Sequence, residues 1–234
     1  MERRCEYGPS GGQGTPRIAE RKTMARHLPV YLLVDTSGSM MGEPITAVTN
    51  GIGMLAGALR ADPQAMETAK LSVITFDDEA RVVEPLAGIM EFQEPTLQAT
   101  GSTMMGAGWS LVVDRVKAEV SLGSEGVKSD WRPLLFIMTD GVPSDNGEFE
   151  RGVNRLSEVK FGQIVACAAG PHADEKVLER ITKKENIFKL ANADKAGFAA
   201  FFKFVSDSVQ RTSKSVNPNA ETMPSPPPEL TPVS

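Results

Sequence analysis

Asp35, Ser37 and Ser39 stand at alternate positions in Asp35-Thr36-Ser37-Gly38-Ser39, directly after the apolar run Val30 to Val34. Alternate positions on an extended backbone face the same way, so a carboxylate and two hydroxyls can converge on one point. Such hard oxygens, with neither imidazole nor thiolate among them, suit Mg²⁺, Mn²⁺ or Ca²⁺ rather than zinc or copper. A second acidic turn, Thr139-Asp140-Gly141, closes another apolar run, and Gly101-Ser102-Thr103 opens a predicted helix.

Placing these turns together requires a frame, and the chain predicts one. Val30 to Val34 reads as a strand, followed by a helix from Glu43-Pro44 with Ile45, Val48, Ile52, Leu55 and Leu59 at helical spacing. Leu71 to Phe76 and Ala80 to Leu86 read as strands joined through Asp77-Asp78-Glu79, short enough for an antiparallel hairpin with the second strand at an edge. A Gly-rich loop and helix over Gly101 to Val120 precede the strand Pro133 to Thr139. Ser144-Asp145 is expected to cap the next helix, whose core face is Phe149, Val153, Leu156 and Val159. A strand at 163 to 169, a short helix with Val177, Leu178 and Ile181, a strand at Ile187 to Leu190 and a closing helix with Phe198, Phe201, Phe202, Val205 and Val209 complete the pattern.

Apolar strands alternating with amphipathic helices need both sheet faces covered. The expected fold is α/β: a doubly wound, mostly parallel six-stranded sheet with one antiparallel edge strand and helices on both faces, of the Rossmann-like kind. Such sheets bind ligands beyond the carboxyl ends of their strands, where strand order reverses. Asp35 and Asp140 both follow strands at that end, so neighbouring central strands would bring them to one crevice, with the Thr103 loop at its rim.

A chain of 234 residues with 41% hydrophobic content supports one core, and its apolar runs are strand-length, short of the roughly 20 residues that span a bilayer. Residues 1–27 read as a flexible polar leader and 213–234, with six prolines, as a disordered tail able to lie on an aromatic groove in polyproline form. Arg3-Arg4 lacks a following apolar segment, which argues against export. Cys5 and Cys167 make no disulfide framework, Cys167 being a core residue, so the expected location is the cytoplasm. A net charge of −5 with interspersed signs argues against nucleic acid as a partner, and no membrane association is expected.

The residues of the three turns resemble the metal-ion-dependent adhesion site of von Willebrand factor A domains, over about residues 28 to 210. Leu28 to Ser39, Gly42 to Ile45 and Asp130 to Gly141 look like the bacterial tellurium-resistance TerY-like branch of that family. The resemblance implies a domain over 28–212 in which Asp35, Ser37, Ser39 and Thr103 supply metal oxygens, and Asp140 binds directly or through water. It implies a cytoplasmic stress-response component, often linked with a protein kinase and a protein phosphatase. Mg²⁺ prefers six oxygens at about 2.1 Å and keeps water where protein does not reach, so an Asp or Glu of a partner protein can take an open position.

Asp35 could be the nucleophile of a Mg²⁺-dependent haloacid-dehalogenase-like phosphatase, but the second acid expected two residues on is Ser37, a poor proton donor at neutral pH. The expectation is a binding module and no enzyme. Gly101 to Gly106 resembles a phosphate loop without its Lys and Ser/Thr, replaced by Ala107 and Gly108. Asp77, Asp78 and Glu79 read as a solvated turn, His27 and His172 carry no ligand role, and Met40, Met41, Met104 and Met105 flank the turns as a candidate contact rim.

Overall fold

The computed structural model describes residues 26–124, 128–170, 173–190, 194–215, 217 and 224–233, so the leader up to residue 25, Cys5 and His172 lie outside the described residues. In chain order the elements are β1 (Leu28–Asp35), α1 (Glu43–Ala61), α2 (Pro63–Thr68), β2 (Ala69–Phe76), β3 (Ala80–Gly88), α3 (Met105–Glu119), β4 (Leu134–Thr139), α4 (Asn146–Leu156), β5 (Gln163–Ala169), α5 (Glu175–Leu178), β6 (Ile187–Leu190), α6 (Lys195–Ser213) and β7 (Thr231–Pro232).

The sheet runs β3-β2-β1-β4-β5-β6-β7. β2, β1, β4, β5 and β6 are parallel neighbours, and β3 closes one edge as an antiparallel hairpin with β2. Strand order reverses between β1 and β4, which is where a doubly wound sheet opens a crevice. The expected α/β architecture is thus present, with a seventh strand beyond the six anticipated.

Period-two alternation in β1 divides the core between the two faces. Leu28, Val30, Leu32 and Val34 join Val48, Ile52 and Leu55 of α1 and Phe198, Phe201 and Phe202 of α6 in one buried cluster. Tyr31 and Leu33 join Trp109, Val112 and Val113 of α3 and Phe149 of α4 in the other. Glycines set two helix approaches: a Cβ at Gly51 would lie 2.0 Å from the Phe202 ring, and one at Gly106 would lie 2.2 Å from the Glu148 backbone. Among the described residues no helix is long and apolar enough to cross a membrane.

One helix was not anticipated and one expectation for the tail differs. Asp62-Pro63 starts the separate helix α2, with Asp62 accepting the N–H groups of Gln64 and Ala65 at 3.1 and 3.0 Å. The tail expected to be disordered from 213 on is placed against the sheet over its later part: β7 pairs antiparallel with β6, and Leu230 is buried in the main core. One apolar anchor beside the sheet edge offsets the ordering entropy that a Pro-rich segment cannot offset alone.

Candidate metal centre

The parallel register that sets Val34 beside Met138 brings the ends of β1 and β4 together. Thr139 closes the gap by donating its hydroxyl to Asp35 Oδ2 at 2.6 Å, while the Ser37 N–H donates to Oδ1 at 2.8 Å. Asp35 is fully buried, and that burial pushes its carboxyl up to about 6 against the opposing pull of these hydrogen bonds. Ser37 Oγ lies 3.1 Å from Ser39 Oγ, and Ser39 Oγ donates to Asp140 Oδ1 at 2.7 Å. A Cβ built on Gly141 would lie 3.4 Å from Thr103 Oγ1 and 4.0 Å from Asp35 Oδ2, in ordinary contact with both, so these two oxygens border the same space beside Gly141.

All five predicted residues therefore border one crevice. Depth grades the donors: Asp35, Ser37 and Thr103 are buried, Asp140 is half-buried and Ser39 is exposed at the mouth. Two carboxylates and three hydroxyls form a hard-oxygen set, and among the described residues no cluster of three or more His, Cys, Asp or Glu competes with it. A buried carboxylate at the floor of a hard-oxygen set fits a dication of the Mg²⁺ or Ca²⁺ class.

The loops are fastened by residues that composition did not single out. Asp77 is 2% exposed rather than solvated, accepting the Thr36 hydroxyl at 3.0 Å and Arg81 Nη1 at 2.9 Å. Its carbonyl takes the Met104 N–H at 2.9 Å. Asp78 Oδ1 receives both the N–H and the hydroxyl of Ser102, at 2.8 and 2.7 Å, and these bonds hold its carboxyl below the usual carboxylate range. Gly101, at φ +73°, lies so close that a Cβ there would sit 2.4 Å from Asp78 Oδ2. Main-chain bonds from Gly38 N–H to Gly101 O at 3.0 Å and Thr100 N–H to Thr36 O at 2.8 Å join the first two loops.

Ser144 and Asp145 also differ from expectation. Neither side chain caps α4. Ser144 Oγ accepts the Thr103 N–H at 3.0 Å, and Asp145 Oδ2 accepts the Ala107 N–H at 3.2 Å, so both reach across to the start of α3. Burial raises the Asp145 carboxyl, whose Oδ1 has no hydrogen-bond partner among the described residues. Of the four rim methionines, Met40 and Met105 are fully buried, whereas Met41 is 66% exposed beside the mouth. His27 pairs with Asp130 at the far end of the sheet.

Asp78→Ala is expected to weaken Mn²⁺ binding about tenfold, in line with the loss of supporting hydrogen bonds around metal ligands. Calorimetric titration measures it, with an unchanged far-ultraviolet spectrum as the control for folding. Unaltered affinity would mean that the Ser102 anchor has no part in placing Thr103.

Residues 30–203 match the von Willebrand factor type A domain. The vWF domain of the type V pili tip protein Mfa5 from Porphyromonas gingivalis superposes with a TM-score of 0.60 at 10% identity, covering 81% of this chain and 97% of that domain. A von Willebrand factor type A protein from Catenulispora acidiphila superposes at 0.56 with 16% identity, over 80% of this chain and 43% of that one. Proximal thread matrix protein 1 of the mussel byssus, solved with a zinc-occupied MIDAS motif, superposes at 0.55 with 20% identity over 81% of this chain and 46% of that one. The chain thus spans less than half the length of the last two. No curated protein matches the chain. These likenesses concern the fold, whereas the match over 30–203 covers most of the chain. The chain belongs to the von Willebrand factor type A domain family.

Proposed function

We propose that the crevice is a metal-ion-dependent adhesion site that captures an acidic residue of a partner protein. Asp35, Ser37, Ser39 and Thr103 would hold a divalent cation, Mg²⁺ by preference with Mn²⁺ or Ca²⁺ as substitutes, and Asp140 would bind it directly or through water. When bound, the ion supplies a positive centre with an exchangeable position for an Asp or Glu. The observation that carries this reading is the Ser39 to Asp140 bond at 2.7 Å, which joins turns 101 residues apart at the mouth above the buried Asp35. Burial of Asp35, Ser37 and Thr103 lowers the effective dielectric at the floor, and charge-assisted contacts gain strength there.

Binding rather than turnover is favoured because both Asp35 oxygens are engaged by hydrogen bonds and Ser37 stands where a phosphatase needs a second acid. The TerY-like runs Leu28 to Ser39, Gly42 to Ile45 and Asp130 to Gly141 support a finer placement: a cytoplasmic component of a bacterial stress or tellurite-resistance system, working beside a protein kinase and a phosphatase.

Affinity capture from the native cell on immobilised chain, with Mg²⁺ and then with EDTA, tests the reading. Proteins retained with Mg²⁺ are expected to be released by EDTA and missed by a Thr103→Ala column. Retention of the same proteins in all three conditions would refute metal-bridged capture.

A further inference from the structure

β6 is four residues long and lies at the end of the parallel strands, where an unpaired edge exposes backbone donors and acceptors to any passing strand. The chain covers that edge with its own C-terminal stretch. Thr231 and Pro232 pair antiparallel with Lys189 and Phe188, and the Val233 N–H donates to Ile187 O at 3.0 Å. A turn closed by Leu230 N–H to Pro227 O at 2.9 Å leads into the pairing. Leu230 is 2% exposed and joins Phe188, Leu190 and Phe204 in one core cluster, whereas Val233 packs on the cluster of the opposite face. Pro224 and Pro226 wall a cavity of about 280 Å³ with Phe188 and Phe204, whose rings meet edge to face at 4.8 Å.

This grip combines side-chain specificity with few main-chain bonds. Leu230 and Val233 each fill a defined apolar position on opposite sides of the sheet, yet Pro232 has no N–H to give the ladder and the paired stretch is two residues long. A strand held by so little opens readily, and its departure bares Phe188 and the β6 backbone.

We propose that the β6 edge is a strand-docking site for an extended Leu-Thr-Pro-Val segment, filled in cis by Pro224–Val233 and open to the same segment from a second copy of the chain. A second copy is the fitting occupant because an identical segment regenerates every contact, which is the condition for a swapped dimer. The tether gives the cis strand an effective concentration on the order of millimolar, so dilute chain stays closed on itself. The site depends on neither the metal crevice nor its partner.

The test uses full-length chains and a labelled synthetic peptide of residues 224–234. Leu230→Asp in the full chain releases the cis strand, and this variant is expected to bind the peptide at least tenfold more tightly than the wild type does. A peptide carrying L230D should not compete. Hydrogen exchange at β6 should quicken in the variant and slow again with peptide, while β1 and β4 stay protected. If Leu230→Asp disturbs β1 and β4, Val233→Asp releases the strand from the other face and takes its place. Wild-type chain concentrated to about 1 mM should show a dimer fraction by light scattering that Leu230→Asp lacks. Equal peptide binding by both chains, competition by the altered peptide, no peptide binding by a variant with an intact sheet, or a strictly monomeric wild type would each overturn the proposal.

Discussion

Mg²⁺ or Mn²⁺ is expected to raise the melting temperature of the wild type, and Asp35→Asn is expected to abolish that shift while leaving the metal-free protein at least as stable. The reason lies in opposed demands on one carboxylate. Burial pushes Asp35 from an ordinary 3.8 up to about 6, so the native state holds a proton more tightly than the unfolded chain does. The stabilising contribution is therefore complete below about pH 4 and is lost as pH rises through about 6. At pH 7.5 the metal-free native state carries a charge whose burial costs about 3 kcal/mol. Asparagine keeps an acceptor for Ser37 N–H or the Thr139 hydroxyl and removes that charge. For the wild type, an ion at a hundredfold excess over its dissociation constant adds about 2.7 kcal/mol, a rise of about 5–10 °C for a domain of this size. Differential scanning calorimetry at pH 5 and 7.5, with and without Mg²⁺, reads every arm. Metal-free wild type should gain stability between pH 7.5 and 5, and a metal response in Asp35→Asn equal to that of the wild type would remove Asp35 from the site.

Gly106→Ala is expected to be the most damaging small substitution in the molecule. A methyl there would lie 2.2 Å from the carbonyl carbon of Glu148 and 2.2 Å from the Phe149 nitrogen. Backbone cannot rotate away as a side chain can, so α3 and α4 must separate. On the opposing helix, a Cβ at Gly152 would lie 2.6 Å from Gly106 O, so the two helices approach from both sides without side chains between them. Overpacking of this severity costs about 3 kcal/mol or more, a fall of about 6–12 °C in Tm. The damage should extend to the crevice, because Thr103 lies just before α3 and is tied through Ser144 to the segment before α4. Mn²⁺ affinity is therefore expected to fall with stability. Gly57→Ala provides the contrast: nothing lies within 4 Å of its Cβ, and filling that exposed helical position should stabilise by up to about 1 kcal/mol. Urea unfolding of the two variants beside the wild type decides the matter, and a Gly106→Ala within 0.5 kcal/mol of the wild type would contradict the close helix approach.

The central frame was legible because its signals are local and repeated. Alternating Leu28, Val30, Leu32 and Val34 against Tyr31 and Leu33 fix which face of β1 meets which helices, and Ile45, Val48, Ile52 and Leu55 do the same for α1. The contiguous run Asp35 to Ser39 marks its turn without help from distant residues. Asp77 and Asp78 could not be read this way, since an acidic tight turn has the same composition whether it meets water or a loop, and the Ser102 partner lies 24 residues on. Ser144 and Asp145 have the composition of a helix cap, but which helix they serve depends on how α3 and α4 cross. β7 escaped because Leu230 is one apolar residue among prolines, and its burial depends on the exposed edge that β6 presents.

The adjacency of β1 and β4 sets a timetable for biosynthesis. Asp35 and Thr139, which share a hydrogen bond, are 104 residues apart in the chain. At about 5–20 residues per second, a ribosome leaves the first strand without its inner neighbour for roughly 5–20 s. During that interval an apolar ribbon waits for its mate, a natural stage for chaperone capture. The crevice is therefore a late product of synthesis: the Asp35 carboxylate meets its Thr139 partner only once the chain has been made to β4.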